Sequence, residues 1–218
     1  MSTLRPLLYI AGGGALIKGS DPFLRKADAT IVDAVELAEK KGRDISFNFG
    51  YHGAYYPSEN RVSVRFTGGG CNLGVLAHEL GHAEADEVCA KYAEKVPKIW
   101  EDYAARRRLF LLAPIAAGMV TSRRKKALLL AGVMPEMLGE AHASLHGARI
   151  LREEGKLTRR RALVLAVPLI DRAGYILVGY GLGSNLREVV RYVRGHFRKR
   201  NGKRIWVTSH FRRIRVRR

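Results

Sequence analysis

Residues 75–83 read Val75-Leu76-Ala77-His78-Glu79-Leu80-Gly81-His82-Ala83, and their spacing governs how the rest of the chain is interpreted. Residues four apart share one face of a helix, so His78 and His82 can direct two imidazoles at one metal ion while Glu79 stands beside it. A His-Glu-x-x-His helix suits metal-assisted hydrolysis. Neutral imidazoles hold zinc, zinc lowers the pKa of water, and the glutamate takes the proton as general base before delivering it to a leaving amine. A five-residue pattern can also arise by chance. The apolar run Val75-Leu76-Ala77 argues against that, because it buries the helix, where two unliganded histidines and an acid would be costly. Gly81 keeps the helix face slim beside the metal.

A catalytic zinc site takes three protein ligands and leaves the fourth position to water. The third histidine of longer motifs is absent, since Ala85 and Val88 occupy its positions, and Glu84, two residues beyond His82, is expected to point away. The downstream segment Gly139-Glu140-Ala141-His142-Ala143-Ser144-Leu145-His146 holds the candidates. Glu140 is the first choice and His146 the second. His142 and, one turn earlier, Glu136 lie on the same segment.

Upstream, residues 44–56 and 61–66 look extended, with Val62, Val64 and Phe66 on one face of the second and Arg61, Ser63 and Arg65 on the other. Pro57-Ser58-Glu59-Asn60 supplies turn chemistry, which predicts a hairpin. Gly68-Gly69-Gly70 ends the strand, and from Asn72 the pattern turns helical through the motif to about Arg106. A surface helix is expected over 22–41, with Asp21 as its cap before Pro22. Further helices are expected over 135–154, 158–182 and 186–200. The fold class is therefore α+β and mostly helical: a small antiparallel sheet packed on the motif helix, followed by a helical bundle. Residues 1–186 should form one domain, and 187–218 a basic C-terminal helix and tail.

The strand, the glycine break and Leu76-Ala77-His78-Glu79-Leu80-Gly81-His82-Ala83 together resemble the YugP-type neutral zinc metallopeptidases, relatives of the HtpX-like membrane gluzincins. A second block is similar to that family's Pro, Glu-x-x-Ala-Ser and Ala-x-x-Leu helix: Met134-Pro135, then Glu140-Ala141-His142-Ala143-Ser144, then Ala148-Arg149-Ile150-Leu151. The likeness covers roughly residues 55–180. It implies a zincin-like core, Glu140 as third zinc ligand, Glu79 as catalytic acid/base, and the strand carrying Val62, Val64 and Phe66 as the edge that pairs with an extended peptide or protein substrate. The cofactor expected is Zn2+.

Lys and Arg total 39 against 20 acids, for a net charge of +19. From Arg187 to Arg218 there are thirteen Lys or Arg and one acid, so the tail carries most of the excess. Arg198, Lys199, Arg200, Lys203, Arg204, Arg212, Arg213, Arg215, Arg217 and Arg218 interleave with Phe197, Trp206 and Phe211. Such a segment can neutralise nucleic-acid phosphates and stack on bases, or bind an anionic membrane surface, or dock the chain into a larger assembly. A second functional class follows from it: a non-catalytic protein of zinc-peptidase fold, anchored by its tail. Cys71 and Cys89 make no disulfide framework and are expected to be reduced.

Leu7–Ile17 is apolar but broken by three glycines and lacks a clear cleavage site, a poor secretory signal that predicts an intracellular protein, membrane-associated or held within an assembly. The stretches 109–120 and 127–134 are too short to span a bilayer alone. The stretch 162–183 is long enough, but Asp171 and Arg172 near its middle would cost several kcal/mol unless they pair or face protein. In a membrane, the basic loops 123–126 and 159–161 and the basic tail are all expected on the cytoplasmic side.

Overall fold

In the computed structural model, residues 4–50, 52–90, 103–193, 196–200 and 203–207 are described, with side chains at 6–50, 52–85 and 108–187. In chain order the elements begin with α1 (Leu4–Arg25), β1 (Ala29–Thr30), α2 (Ile31–Lys40), β2 (Asp44–Asn48), β3 (Gly53–Tyr56), β4 (Arg61–Thr67) and β5 (Gly70–Cys71). They continue with α3 (Leu73–Ala90), α4 (Tyr103–Met119), α5 (Arg123–Ala131), α6 (Met134–Glu153), α7 (Arg159–Val193), β6 (His196–Arg200) and β7 (Lys203–Val207). The chain is mostly helical with a small sheet, as expected of an α+β fold.

The expected hairpin forms between β3 and β4 across a 3-10 turn, Pro57–Glu59, which Asn60 closes in the left-handed region at φ 50°. The sheet is mixed rather than antiparallel, because β2 runs parallel to β4 from Asp44↔Arg61 to Asn48↔Arg65. This places β4 at the centre. Its other side is taken by β3 (Gly53↔Val64 to Tyr56↔Arg61) and then by β5 (Phe66↔Cys71). The assignment of Val62, Val64 and Phe66 to a substrate edge is thus corrected: both backbone edges of β4 are used within the sheet. Val62 and Val64 are fully buried, and Phe66 meets Phe49 edge to face at 5.8 Å. The edge strand beside the motif helix is β3.

The helix expected over 22–41 is two elements. The α1 helix runs through Pro22 to Arg25, and α2 starts afresh behind a capping box, in which the Thr30 hydroxyl accepts from the Asp33 N–H and the Asp33 carboxylate accepts from the Thr30 N–H. Asp21 is therefore not a cap. It sits inside α1 and binds His52 at 2.8 Å and Arg25 at 2.5 Å.

The main core lies between α2, the sheet, α3, the end of α6 and the start of α7. Leu37, Val62, Val64, Leu73, Leu76, Leu80, Ile150, Leu151 and Val164 are its large buried members. Each contributes roughly 1.5–3 kcal/mol of burial free energy. A second cluster joins Phe110 and Ala113 of α4 to Val133, with Met137 and Ile176 packed against it.

Beyond Leu165, α7 leaves the main core and runs on as the middle member of a bundle with α1 and α4. Backbones approach closely there. A Cβ on Gly174 would stand 2.8 Å from the Gly13 carbonyl oxygen, and one on Gly183 would collide with the carbonyl of Ile115. Leu7, Leu8 and Leu16 of α1, Leu109, Leu111 and Leu112 of α4, and Tyr175, Leu182 and Leu186 of α7 face outward, exposed. The segment Arg159–Arg187 is long and apolar enough to cross a membrane.

The expected boundary at residue 187 falls inside α7, which continues unbroken to Val193. Beyond it, the expected helix to residue 200 is replaced by the hairpin β6–β7, with Phe197 opposite Trp206 and Lys199 opposite Arg204. Arg198, Lys199, Arg200, Lys203 and Arg204 belong to this hairpin, their side chains outside the described ones; Arg212, Arg213, Arg215, Arg217 and Arg218 lie outside the described residues. The two basic loops lie at opposite ends of α7, so they do not share one side of a membrane that it would span. Arg161 binds Asp28 at its start, whereas Lys126 reaches Tyr180 at 2.8 Å towards its end.

Candidate metal centre

The α3 helix carries the motif and packs against α6, and glycines set how closely. A Cβ on Gly81 would strike the carbonyl of Ala143, and one on Gly147 would lie 2.6 Å from the Ala77 carbonyl oxygen. Gly81 thus serves the helix–helix approach rather than space beside the metal. With the two backbones this near, Glu140 of α6 reaches across to the histidines of α3.

His78, His82 and Glu140 each offer one ligand atom, and these atoms all lie within 4.8 Å of one another. Glu140 Oε2 is 3.1 Å from His78 Nε2 and 3.7 Å from His82 Nε2. The two imidazoles stand edge to face, their centroids 4.7 Å apart. His78 and Glu140 are buried, while the His82 side chain keeps about a third of its surface exposed (31%). The group therefore has two enclosed ligands and one at an opening. Two imidazoles and a carboxylate converging in this way fit a divalent metal ion.

The surrounding contacts fit as well. Ser144 Oγ lies 2.8 Å from the Glu140 carbonyl and 2.7 Å from the Leu165 carbonyl, to one of which it donates, and 3.2 Å from His78 Nδ1. Without metal, His78 Nε2–H donates to Glu140 Oε2; with metal bound, a proton on Nδ1 would donate to this hydroxyl and leave the Nε2 lone pair facing the group, the tautomer that a metal ligand requires. Arg172 of α7 holds the other oxygen of Glu140, with its NH2 nitrogen 2.6 Å from Oε1, and lies 3.2 Å from Glu136. The arginine that looked misplaced in an apolar helix is the counter-ion of the buried carboxylates. Asp171, beside it, accepts from Ser20 of α1.

Burial alone would raise the Glu140 carboxyl pKa, but hydrogen bonds from His78 and His82 and the Arg172 charge outweigh it and hold the group below the usual range. Glu140 is accordingly an anion. Glu79 is pushed the other way, chiefly by burial and also by the Glu140 charge, against the opposing pull of His78 and His82. Glu79 points at the sheet edge: a Cβ on Gly53 of β3 would lie 2.8 Å from Glu79 Oε1. A strand residue without a side chain makes room for the carboxylate.

The alternative third ligands do not join this group. Glu136 lies against Arg172. His142 and His146 pair with one another, Nε2 to Nε2 at 3.2 Å, and His146 Nδ1 binds Glu84 at 3.0 Å. Of the described residues, only His78, His82 and Glu140 form such a three-ligand group.

Sequence reasoning missed Ser144 and Arg172. Arg172 had a visible signal, a charge in an apolar helix of a chain with an unpaired candidate carboxylate. Ser144 had none beyond its four-residue offset from Glu140. Comparison with known protein families, with curated proteins and with solved structures finds no match to this chain.

Proposed function

We propose that this protein is a zinc-dependent metallopeptidase, as its likeness to the YugP-type enzymes implies. The observation that carries the reading is the position of Glu79: next to the His78–His82–Glu140 group, and against the edge strand β3. A scaffold that merely stored a metal ion would have no chemical need for that carboxylate.

Zinc in a site of two imidazoles and a carboxylate supplies Lewis acidity, polarising a carbonyl and acidifying a water. Glu79 accepts the proton of the attacking water as its oxygen adds to the scissile carbonyl carbon. It then returns that proton to the amide nitrogen as the C–N bond breaks, leaving a carboxylate and an amine. Glu140 stays ionised throughout under the Arg172 charge, and Ser144 keeps the His78 ring oriented. An extended peptide lying along β3 would add as a further strand, bringing one of its carbonyls over Glu79.

The outward leucines and glycine contacts of the α1–α4–α7 bundle support membrane association, since close backbone approach through small residues is how helices pack in lipid. Asp171 and Arg172 face protein there, which removes most of the cost of charges in the apolar helix.

Replacing Glu79 with Gln tests the mechanism. Hydrolysis of a peptide library should fall by a factor of at least about 10² to 10⁴ with bound zinc nearly unchanged, because the proton acceptor is lost and no ligand is. Activity within a few fold of wild type would remove Glu79 from the mechanism.

A further inference from the structure

The His142–His146 pair is separate from the metal centre and makes a site of its own. Both residues lie on α6 one turn apart, on a face distinct from that of Glu140, and they line a shallow surface pocket with Leu145 and Arg149. Their Nε2 atoms converge to 3.2 Å, and the rings stand at 73° with centroids 4.4 Å apart. Two metal–nitrogen bonds of about 2.0–2.1 Å enclose an N···N distance of roughly 2.9–3.4 Å between square-planar and tetrahedral angles. The observed separation falls inside that range.

We propose that His142 and His146, oriented by Glu84, form a second, solvent-facing site for a divalent transition-metal ion, with water completing its coordination. Glu84 reaches from α3 to take the Nδ1–H of His146 at 3.0 Å, leaving the Nε2 lone pair towards His142. A carboxylate behind a ligating imidazole is the usual outer partner of a metal-bound histidine. Without metal, the same geometry is a His142 Nε2–H donating to His146. Metal binding needs the His142 proton to pass from Nε2 to Nδ1, one N–H bond broken and another made through solvent, and the two rings to turn until both Nε2 lone pairs meet at the ion. The neighbouring cations are already engaged by carboxylates: Arg149 with Glu153 at 2.8 Å, and Lys41 with Glu153 at 3.2 Å as well as Glu84 at 3.5 Å. The half-buried rings open onto a shallow surface pocket, which makes this a readily exchanging site, in contrast to the enclosed His78–Glu140 pair.

Zinc titration of the full chain against a competing chromophoric chelator tests this. Wild type should bind two equivalents in two affinity classes. His142→Ala and His146→Ala should each lose the weaker class and keep the tighter, and Glu84→Gln should weaken the weaker class several-fold, all with unchanged far-UV circular dichroism. His82→Ala should do the reverse, losing the tighter class and keeping the weaker, so a failure of the proposed zinc centre is distinguishable from a failure of this site. Zinc binding in wild type that neither His142→Ala nor His146→Ala diminishes overturns the proposal; a single class lost in those two variants and kept in His82→Ala supports it and removes the zinc centre instead.

Discussion

Glu140 stands between two sets of partners, with Oε2 towards His78 and His82 and Oε1 held by Arg172. The division explains why a single carboxylate can be enclosed and still be a ligand: one oxygen is neutralised from behind and the other is presented forward. Replacing Arg172 with Met would strand Glu140 and Glu136, both buried, without their counter-charge. Removing one member of a buried ion pair costs about 3–5 kcal/mol, and the partly exposed guanidinium puts the expectation near the lower end. Chemical denaturation should show that loss, together with weaker zinc retention; a change under about 1 kcal/mol would mean that solvent already satisfies the carboxylates. At this scale the sequence was only partly legible. Helical spacing joined His78 to His82, but nothing local distinguished Glu140 from Glu136, His142 or His146. Which of them faces the two histidines follows from which face of α6 meets α3, a tertiary fact.

Between elements, the metal centre depends on how near α3 lies to α6. Gly81 and Gly147 permit that approach, each against a backbone carbonyl of the other helix. Gly81→Ala should therefore destabilise by about 1–3 kcal/mol as the helices are pushed apart, despite Ala's better helix propensity. The matching control is Gly139→Ala on α6, where a Cβ meets nothing within 4 Å; it should stabilise by up to about 1 kcal/mol. Thermal melts of the two variants with and without zinc separate the effects, and equal behaviour of both would refute the close-approach account. The hairpin and the helices over 134–153 and from 73 were readable from turn residues and periodicity. The segment of β2 was read as extended, but its parallel pairing with β4 was not foreseen, because nothing local shows that the chain crosses over through β3 before β4 forms. The break between α1 and α2 was missed because a two-residue strand leaves no periodicity to detect.

For the whole molecule, the α1–α4–α7 bundle and the metal centre share α7: Val164 and Leu165 belong to the main core, Arg172 to the centre, and Gly174 to Gly183 to the bundle. The carboxylate ligand is thereby tied to an apolar bundle whose outer leucines lie exposed. Liposome flotation of the full chain should show association that survives about 1 M salt, where the Debye length is only about 3 Å and tail electrostatics are screened. Flotation confined to low salt would assign membrane binding to the basic tail alone. The apolar stretches were evident in the sequence, yet their surroundings were not, since hydropathy cannot say whether Asp171 and Arg172 meet lipid or protein. The central claim is that His78, His82 and Glu140 hold one zinc ion, and its most direct measurement is the metal content of protein desalted in the presence of a weak chelator, which strips exposed sites. Wild type should retain one zinc per chain, and folded Glu140→Ala and His82→Ala should each retain well under half. Stoichiometric zinc in both variants would contradict the ligand set.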